Sequence, residues 1–151
     1  MRVRDLMSRD VLAIGVSQSC REAVARMCQG NVRHLPVVDT AGALVGVITD
    51  RDLRHHLFSP GIYGRVGRAP VEVLLKGVSV GDVMSSPVVS IGPGCEVAEA
   101  ARLMREKKIG ALPVVDAGRV VGILTEIDLL RHIVRVEAPL SPEMDIAVSY
   151  P

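Results

Sequence analysis

An α+β fold, built from two β-α-β-β-α repeats packed as a pseudo-two-fold symmetric pair, is predicted by three observations. First, the chain repeats itself. Residues 3–57 align with residues 80–133, and the block Leu35-Pro36-Val37-Val38-Asp39 returns as Leu112-Pro113-Val114-Val115-Asp116. Asp5, Met7 and Ser8 return as Asp82, Met84 and Ser85, and Gly46, Thr49, Asp52 and Leu53 return as Gly122, Thr125, Asp128 and Leu129. An ordered set of identities marks a tandem duplication. Second, helical apolar spacing alternates with short apolar runs bounded by turn residues. Third, a unit of about 55 residues buries too little surface to be secure alone, so two units are expected to cover each other's sheets.

The boundaries read as repeat one at 1–57, a linker at 58–79, repeat two at 80–136 and a C-terminal tail at 137–151. Within repeat one, residues 3–7 form a short helical lead-in and residues 11–14 a short apolar strand (88–91 in repeat two). Cys20, Ala23, Val24, Met27 and Cys28 then recur at helical spacing, with Ser19 and Glu22 as a capping box. Val97, Ala100, Ala101 and Met104 keep the same face in repeat two, and Leu103 widens it. Two strands follow, 35–38 and 44–48, joined through Asp39-Thr40-Ala41-Gly42; their counterparts are 112–115 and 120–124, joined through Asp116-Ala117-Gly118. A final helix spans 50 to about 57, and 126 to about 134. The linker begins as a Gly/Pro-rich loop, and Val71 to Leu75 is apolar enough for a short helix or a packed segment; the linker as a whole is read as a solvated connector.

Composition narrows the function classes. The chain has 151 residues, 48% of them hydrophobic, with one Phe, two Tyr and no Trp, so the core is aliphatic. Net charge is +1, and there is neither a basic excess nor a set of aromatics for nucleic acid. No apolar run approaches the roughly 18 residues of a membrane span, and Met1-Arg2-Val3-Arg4-Asp5 is not a signal region. A soluble cytoplasmic protein, with no nucleic-acid or membrane partner, is expected. Cys20, Cys28 and Cys95 lack metal-ligand spacing and are expected to be buried free thiols. No nucleophile elbow, phosphate-binding Walker loop or His-Glu-x-x-His is present, so no catalytic residues and no metal are assigned and the chain is not read as an enzyme.

The segment with the most chemistry occurs twice, as Gly46-Val47-Ile48-Thr49-Asp50-Arg51-Asp52 and Gly122-Ile123-Leu124-Thr125-Glu126-Ile127-Asp128. A threonine closes a strand and an aspartate follows three residues later, which is a capping box in its acidic form. The same two side chains can instead face a ligand at the helix N-terminus. Both readings stand at this level. His56 and its counterpart His132 fall on the polar side of the final helices, and Met7 and Met84 read as packing residues.

The Asp-x-Met-Ser lead-ins, the Leu-Pro-Val-Val-Asp blocks and the paired Gly-to-Asp segments together resemble the tandem CBS-domain pair, also called a Bateman module. The resemblance covers almost the whole chain. It implies a compact disc that usually dimerises, with clefts between the repeats for AMP, ADP, ATP or S-adenosylmethionine and no covalent cofactor. It places a ribose on Asp52 and Asp128, assisted by Thr49 and Thr125. It places adenine near Val11 and Leu12 with Arg33 and His34, and near Val88 and Val89 with Gly110 and Ala111. Arg33, His34, Arg51 and Arg54 are candidate phosphate partners, whereas repeat two has Gly110, Ala111, Ile127 and Leu130 at those positions. The repeat-one site is therefore expected to hold a phosphorylated ligand more tightly. The function implied is a stand-alone regulatory module, a homodimer, signalling to a protein effector. The alternative is an interaction module with vestigial pockets.

Overall fold

A computed structural model describes residues 1–57 and 71–137. The linker segment 58–70 and the tail 138–151 lie outside the described residues. After a 3-10 turn at Val3–Asp5, repeat one contains β1 (Ile14–Gly15), α1 (Cys20–Gly30), β2 (His34–Val38), β3 (Leu44–Thr49) and α2 (Asp50–Leu57). Two short helices follow, α3 (Val71–Lys76) and α4 (Val80–Val83). Repeat two contains α5 (Val97–Lys107), β4 (Ala111–Asp116), β5 (Arg119–Thr125) and α6 (Glu126–Glu137). The last helix thus takes in the first residue assigned to the tail.

The hairpins and helices form where periodicity and turn chemistry put them. β2 and β3 pair antiparallel with Leu35 opposite Ile48, and β4 and β5 pair with Leu112 opposite Leu124. All four of these side chains are fully buried. Ser19 accepts the Glu22 amide hydrogen, and the Glu22 carboxylate accepts from Ser19, so the capping box starts α1 as expected.

The expected first strands are cut short. Only Ile14 and Gly15 pair, parallel to Val37 and Val38, and in repeat two only Ile91 bridges to Val114. The backbone ahead of these residues goes elsewhere: the Arg26 guanidinium donates to the Ala13 carbonyl. Pro87, ahead of Val88, has no N–H to offer a ladder.

The larger departure concerns the lead-ins. Val3 and Met7 sit in the core of repeat two, with Ile91, Ala100, Met104, Leu112, Val114 and Leu124. Val80, by contrast, sits in the core of repeat one beside Ile14, Leu35, Val37 and Ile48, with Met84 packed on that cluster. Each lead-in also pairs with the other repeat's hairpin: Ser8 exchanges backbone hydrogen bonds with Ile123, and Ser85 with Val47. The two repeats are therefore interlocked. The solvated-connector reading is corrected over the described part of the linker. Leu75 is buried and Val78 packs in the repeat-one cluster, because α3 carries apolar residues against α1.

The cysteines also depart from expectation. Cys20 is buried, Cys28 is exposed and Cys95 is intermediate; all are free. An eight-residue separation turns a helix by about 80° beyond two full turns, enough to carry Cys28 off the buried face.

Candidate ligand-binding site

A cleft of about 880 Å³ lies between the repeats. Its repeat-one wall comes from the start of β2, the end of β3 and the first turns of α2, which bring Arg33, His34, Thr49, Asp52, Arg51 and Arg54 together. Its repeat-two wall carries Val88, Val89, Gly110 and Ala111, with Ala101 and Met104 from α5. The sequence reading grouped these residues by repeat. The structure groups them across repeats, because the segment after the interlocked Met84 runs past β3 before it reaches its own sheet.

The Thr49–Asp52 pair caps α2 with one carboxylate oxygen. Asp52 Oδ2 accepts from the Thr49 amide at 2.9 Å and the Thr49 hydroxyl at 2.8 Å, while the Asp52 amide donates to Thr49 Oγ1 at 3.1 Å. The second oxygen takes no part in the cap. Asp52 Oδ1 accepts from the Ser85 hydroxyl at 3.3 Å, and Ser85 lines the cleft. Capping and ligand contact are thus compatible in one residue. Thr125 and Asp128 build the same box, with Oδ2 at 2.9 Å from the Thr125 amide and 2.6 Å from its hydroxyl. They do not line this cleft, and Asp128 Oδ1 lies 4.0 Å from the Arg131 guanidinium. Val11 and Leu12 also lie outside it, with Leu12 packed against Gly30.

His34 stands where the repeats meet. A Cβ on Gly110 would come within 3.3 Å of His34 Nε2 and 3.4 Å of the Glu126 carboxylate, so glycine leaves room for that pair. Burial pushes the His34 imidazole below its usual value, against the pull of Asp50, Glu126 and Asp52. Sequence reasoning missed Ser85, Glu126, Arg105 and Lys108 as cleft residues. Arg105 and Lys108 lie at the end of α5 and carry no motif, so only the packing of the repeats reveals them. The lining joins apolar strand residues, a carboxylate oxygen outside the helix cap and several cations. Its size falls in the range of about 300–1,000 Å³ usual for small-molecule sites.

A duplicated α+β unit, interlocked by its lead-ins around a cleft between the halves, defines a paired-domain module. The chain belongs to the CBS domain family, whose model matches residues 3–59 and 80–135. It is 36% identical over 142 residues to a CBS domain-containing protein of Dictyostelium discoideum, covering 93% of this chain and 97% of the relative. Some relatives are much longer; the chain spans 35% of one and 24% of another. Among solved structures it is similar to the CBS domain pair of protein MJ0100 in complex with 5′-methylthioadenosine and S-adenosyl-L-methionine. The TM-score is 0.72 and the identity 28%, over 88% of this chain and 95% of that one. It is also similar to CBSX2 in complex with AMP, at a TM-score of 0.70 and 29% identity, over 91% and 98%. No helix among the described residues is long and apolar enough to cross a membrane.

Proposed function

We propose that this chain is a regulatory module that takes an adenosine-containing ligand, AMP, ADP, ATP or S-adenosylmethionine, between its repeats and signals its occupancy to a protein partner. One observation carries the reading. The ribose candidate Asp52 of repeat one and the apolar candidates Val88, Val89 and Ala111 of repeat two line a single cleft. In this reading the Asp52 carboxylate accepts from the ribose diol through Oδ1, and Thr49 fixes the carboxylate through Oδ2. Val88, Val89 and Ala111 face the adenine ring, and Arg33, His34, Arg51 and Arg54 serve the phosphate end. Thr125 and Asp128, with Val11 and Leu12, form the pseudo-equivalent position on the other side of the pair. The crystallised relatives that hold adenosine compounds support the ligand class. A ligand bridging the repeats changes what a partner sees only if it binds two arrangements of the pair with different affinity.

The test is calorimetric titration of nucleotide-stripped protein with AMP, ADP, ATP and S-adenosylmethionine, beside an Asp52→Ala variant. The expected outcome is saturable binding of at least one ligand, weakened in the variant by about tenfold or more, as befits a lost charge-assisted hydrogen bond. Binding unaltered by Asp52→Ala would remove the ribose assignment. Absence of binding to all four would leave the interaction-module reading.

A further inference from the structure

We propose that His34 makes the module responsive to acidity: an anionic ligand entering between the repeats brings a proton onto the His34 imidazole, so that ligand and proton are bound together. The inference rests on the reading of the cleft as a nucleotide site.

The placement of the ring is the first ground. His34 opens β2 and lies opposite Thr49, the residue that caps α2 with Asp52. Its ring leaves repeat one and reaches over Gly110 of repeat two, where a Cβ would lie 3.3 Å from Nε2. The side chain is half-buried and lines the cleft. Among the described residues the ring makes no hydrogen bond and no ion pair within 4.0 Å. The counterpart of His34 in repeat two is Ala111, so one side of the pair alone carries a titratable ring.

The surrounding charges set its proton state. From its own repeat, Arg33 flanks it, and Asp50 and Asp52 stand in the first turn of α2. From repeat two, the Glu126 carboxylate lies 3.4 Å from the same Gly110 Cβ position. None of these acids is a full partner for an imidazolium. Asp52 gives Oδ2 to the helix cap, and Asp50 pairs with Arg54 at 2.8 Å. Glu126 comes near the ring without forming an ion pair with it. Arg51 of α2, with Arg105 and Lys108 at the end of α5, lines the same cleft and opposes one more positive charge. Burial, against the pull of Asp50, Glu126 and Asp52, holds the ring below its ordinary value, so the free protein keeps it uncharged at neutral pH.

A phosphate beside the ring reverses that balance. It adds a negative charge in a concavity of low dielectric and an acceptor for an imidazolium N–H. An opposite charge this close raises the proton affinity of a base by roughly tenfold or more. Anion binding and proton uptake are then reciprocal: acidification tightens the anion, and the anion holds the proton. A neutral ligand in the same cleft brings no such exchange.

The experiment titrates the full chain and its His34→Gln variant with AMP and with adenosine, by calorimetry at about pH 6 and about pH 8 in buffers of different ionisation enthalpy. Glutamine keeps a donor but cannot take the proton. Acidification is expected to strengthen AMP binding to the parent chain by about threefold to tenfold more than to the variant, with more protons taken up by the parent. The phosphate's own ionisation, at about pH 6, is common to both proteins and cancels in that comparison. Adenosine should show the same pH dependence in both. Proton NMR of the parent chain reads the His34 ring directly, whatever the variant does to folding, and its titration midpoint should rise when AMP is saturating. Equal pH dependence and proton uptake in parent and variant, a His34 midpoint that AMP leaves in place or lowers, or the same His34-dependent effect with adenosine would overturn the inference while the adenosine reading stands. Failure of both AMP and adenosine to bind would overturn that reading and this inference with it.

Discussion

At the scale of single residues, two carboxylate oxygens decide how the repeated Thr-x-x-Asp segments are understood. The pattern in the sequence admits a helix cap or a ligand contact. The structure shows that the cap needs Oδ2 alone and leaves Asp52 Oδ1 beside Ser85 at the cleft. Nothing in the spacing Thr49-to-Asp52 could separate the two oxygens, which is why the sequence left the choice open. His34 makes a testable residue-scale claim. Burial lowers its pKa in the folded state relative to the unfolded value near 6.5, and the carboxylates of Asp50, Glu126 and Asp52 offset this only in part. A histidine with a depressed folded pKa binds fewer protons folded than unfolded. Its contribution to stability is therefore fully present above the unfolded value and is lost as pH falls through that value toward the folded one. Thermal unfolding followed from about pH 8 down to about pH 5.5 is expected to show a falling midpoint in the acidic part of the range, and His34→Ala should flatten that slope. An unchanged slope in the variant would assign the pH dependence to other groups.

At the scale of elements, the repeated glycines acquire a reason. Gly46 lies on β3 and Gly122 on β5, mid-strand, where glycine ordinarily weakens a sheet. A Cβ on Gly46 would come within 2.5 Å of Met84 Sδ and 3.0 Å of the Ser85 carbonyl oxygen. A Cβ on Gly122 would come within 2.4 Å of Met7 Sδ and 3.0 Å of the Ser8 carbonyl oxygen. Each glycine is therefore the seat for the lead-in of the opposite repeat. The methionine tip can yield, but the backbone carbonyl is held by the bridge between Ser85 and Val47. Gly46→Ala is expected to destabilise the chain by about 1–3 kcal/mol, as overpacking of a core does. Denaturant unfolding measures it. Met84→Ala placed in the Gly46→Ala background should cost less than it does in the parent chain, since the two sites touch. Full additivity would show that the glycine is kept for another reason. The hairpins and helices were legible because hydrophobic period and turn residues are local signals. The exchange of lead-ins was not, because Met7 and Met84 look the same whichever core receives them.

At the scale of the whole molecule, the large exposed apolar side chains among the described residues lie mainly on one helix. Ile127, Leu130, Ile133 and Val134 on α6 are 49%, 55%, 53% and 63% exposed. At 100° per residue they fall on one side of the helix, while Leu129 on another side packs into the repeat-two cluster. An apolar helix face of this extent marks an interaction surface. A second copy is the occupant that the charges favour. The first turn of α6 carries Glu126 and Asp128, and its last two turns carry Arg131 and Arg135 against the single acid Glu137. Two α6 helices related by a two-fold axis and running antiparallel would set each acidic end beside the partner's basic end, with the apolar faces between them. This is how the homodimer implied by the sequence resemblance would form, and it places the dimer seam on the helix that begins with Glu126 of the cleft. Light scattering on the eluting protein is expected to give about twice the 16.2 kDa chain mass, and Ile133→Glu/Val134→Glu to reduce it to one chain with thermal stability retained. A monomeric parent chain, or a variant that stays dimeric, would move the second copy away from α6. If dimerisation and the cleft share α6 as argued, nucleotide should bind the monomeric variant with altered affinity, because the helix that carries Glu126 would lose its partner.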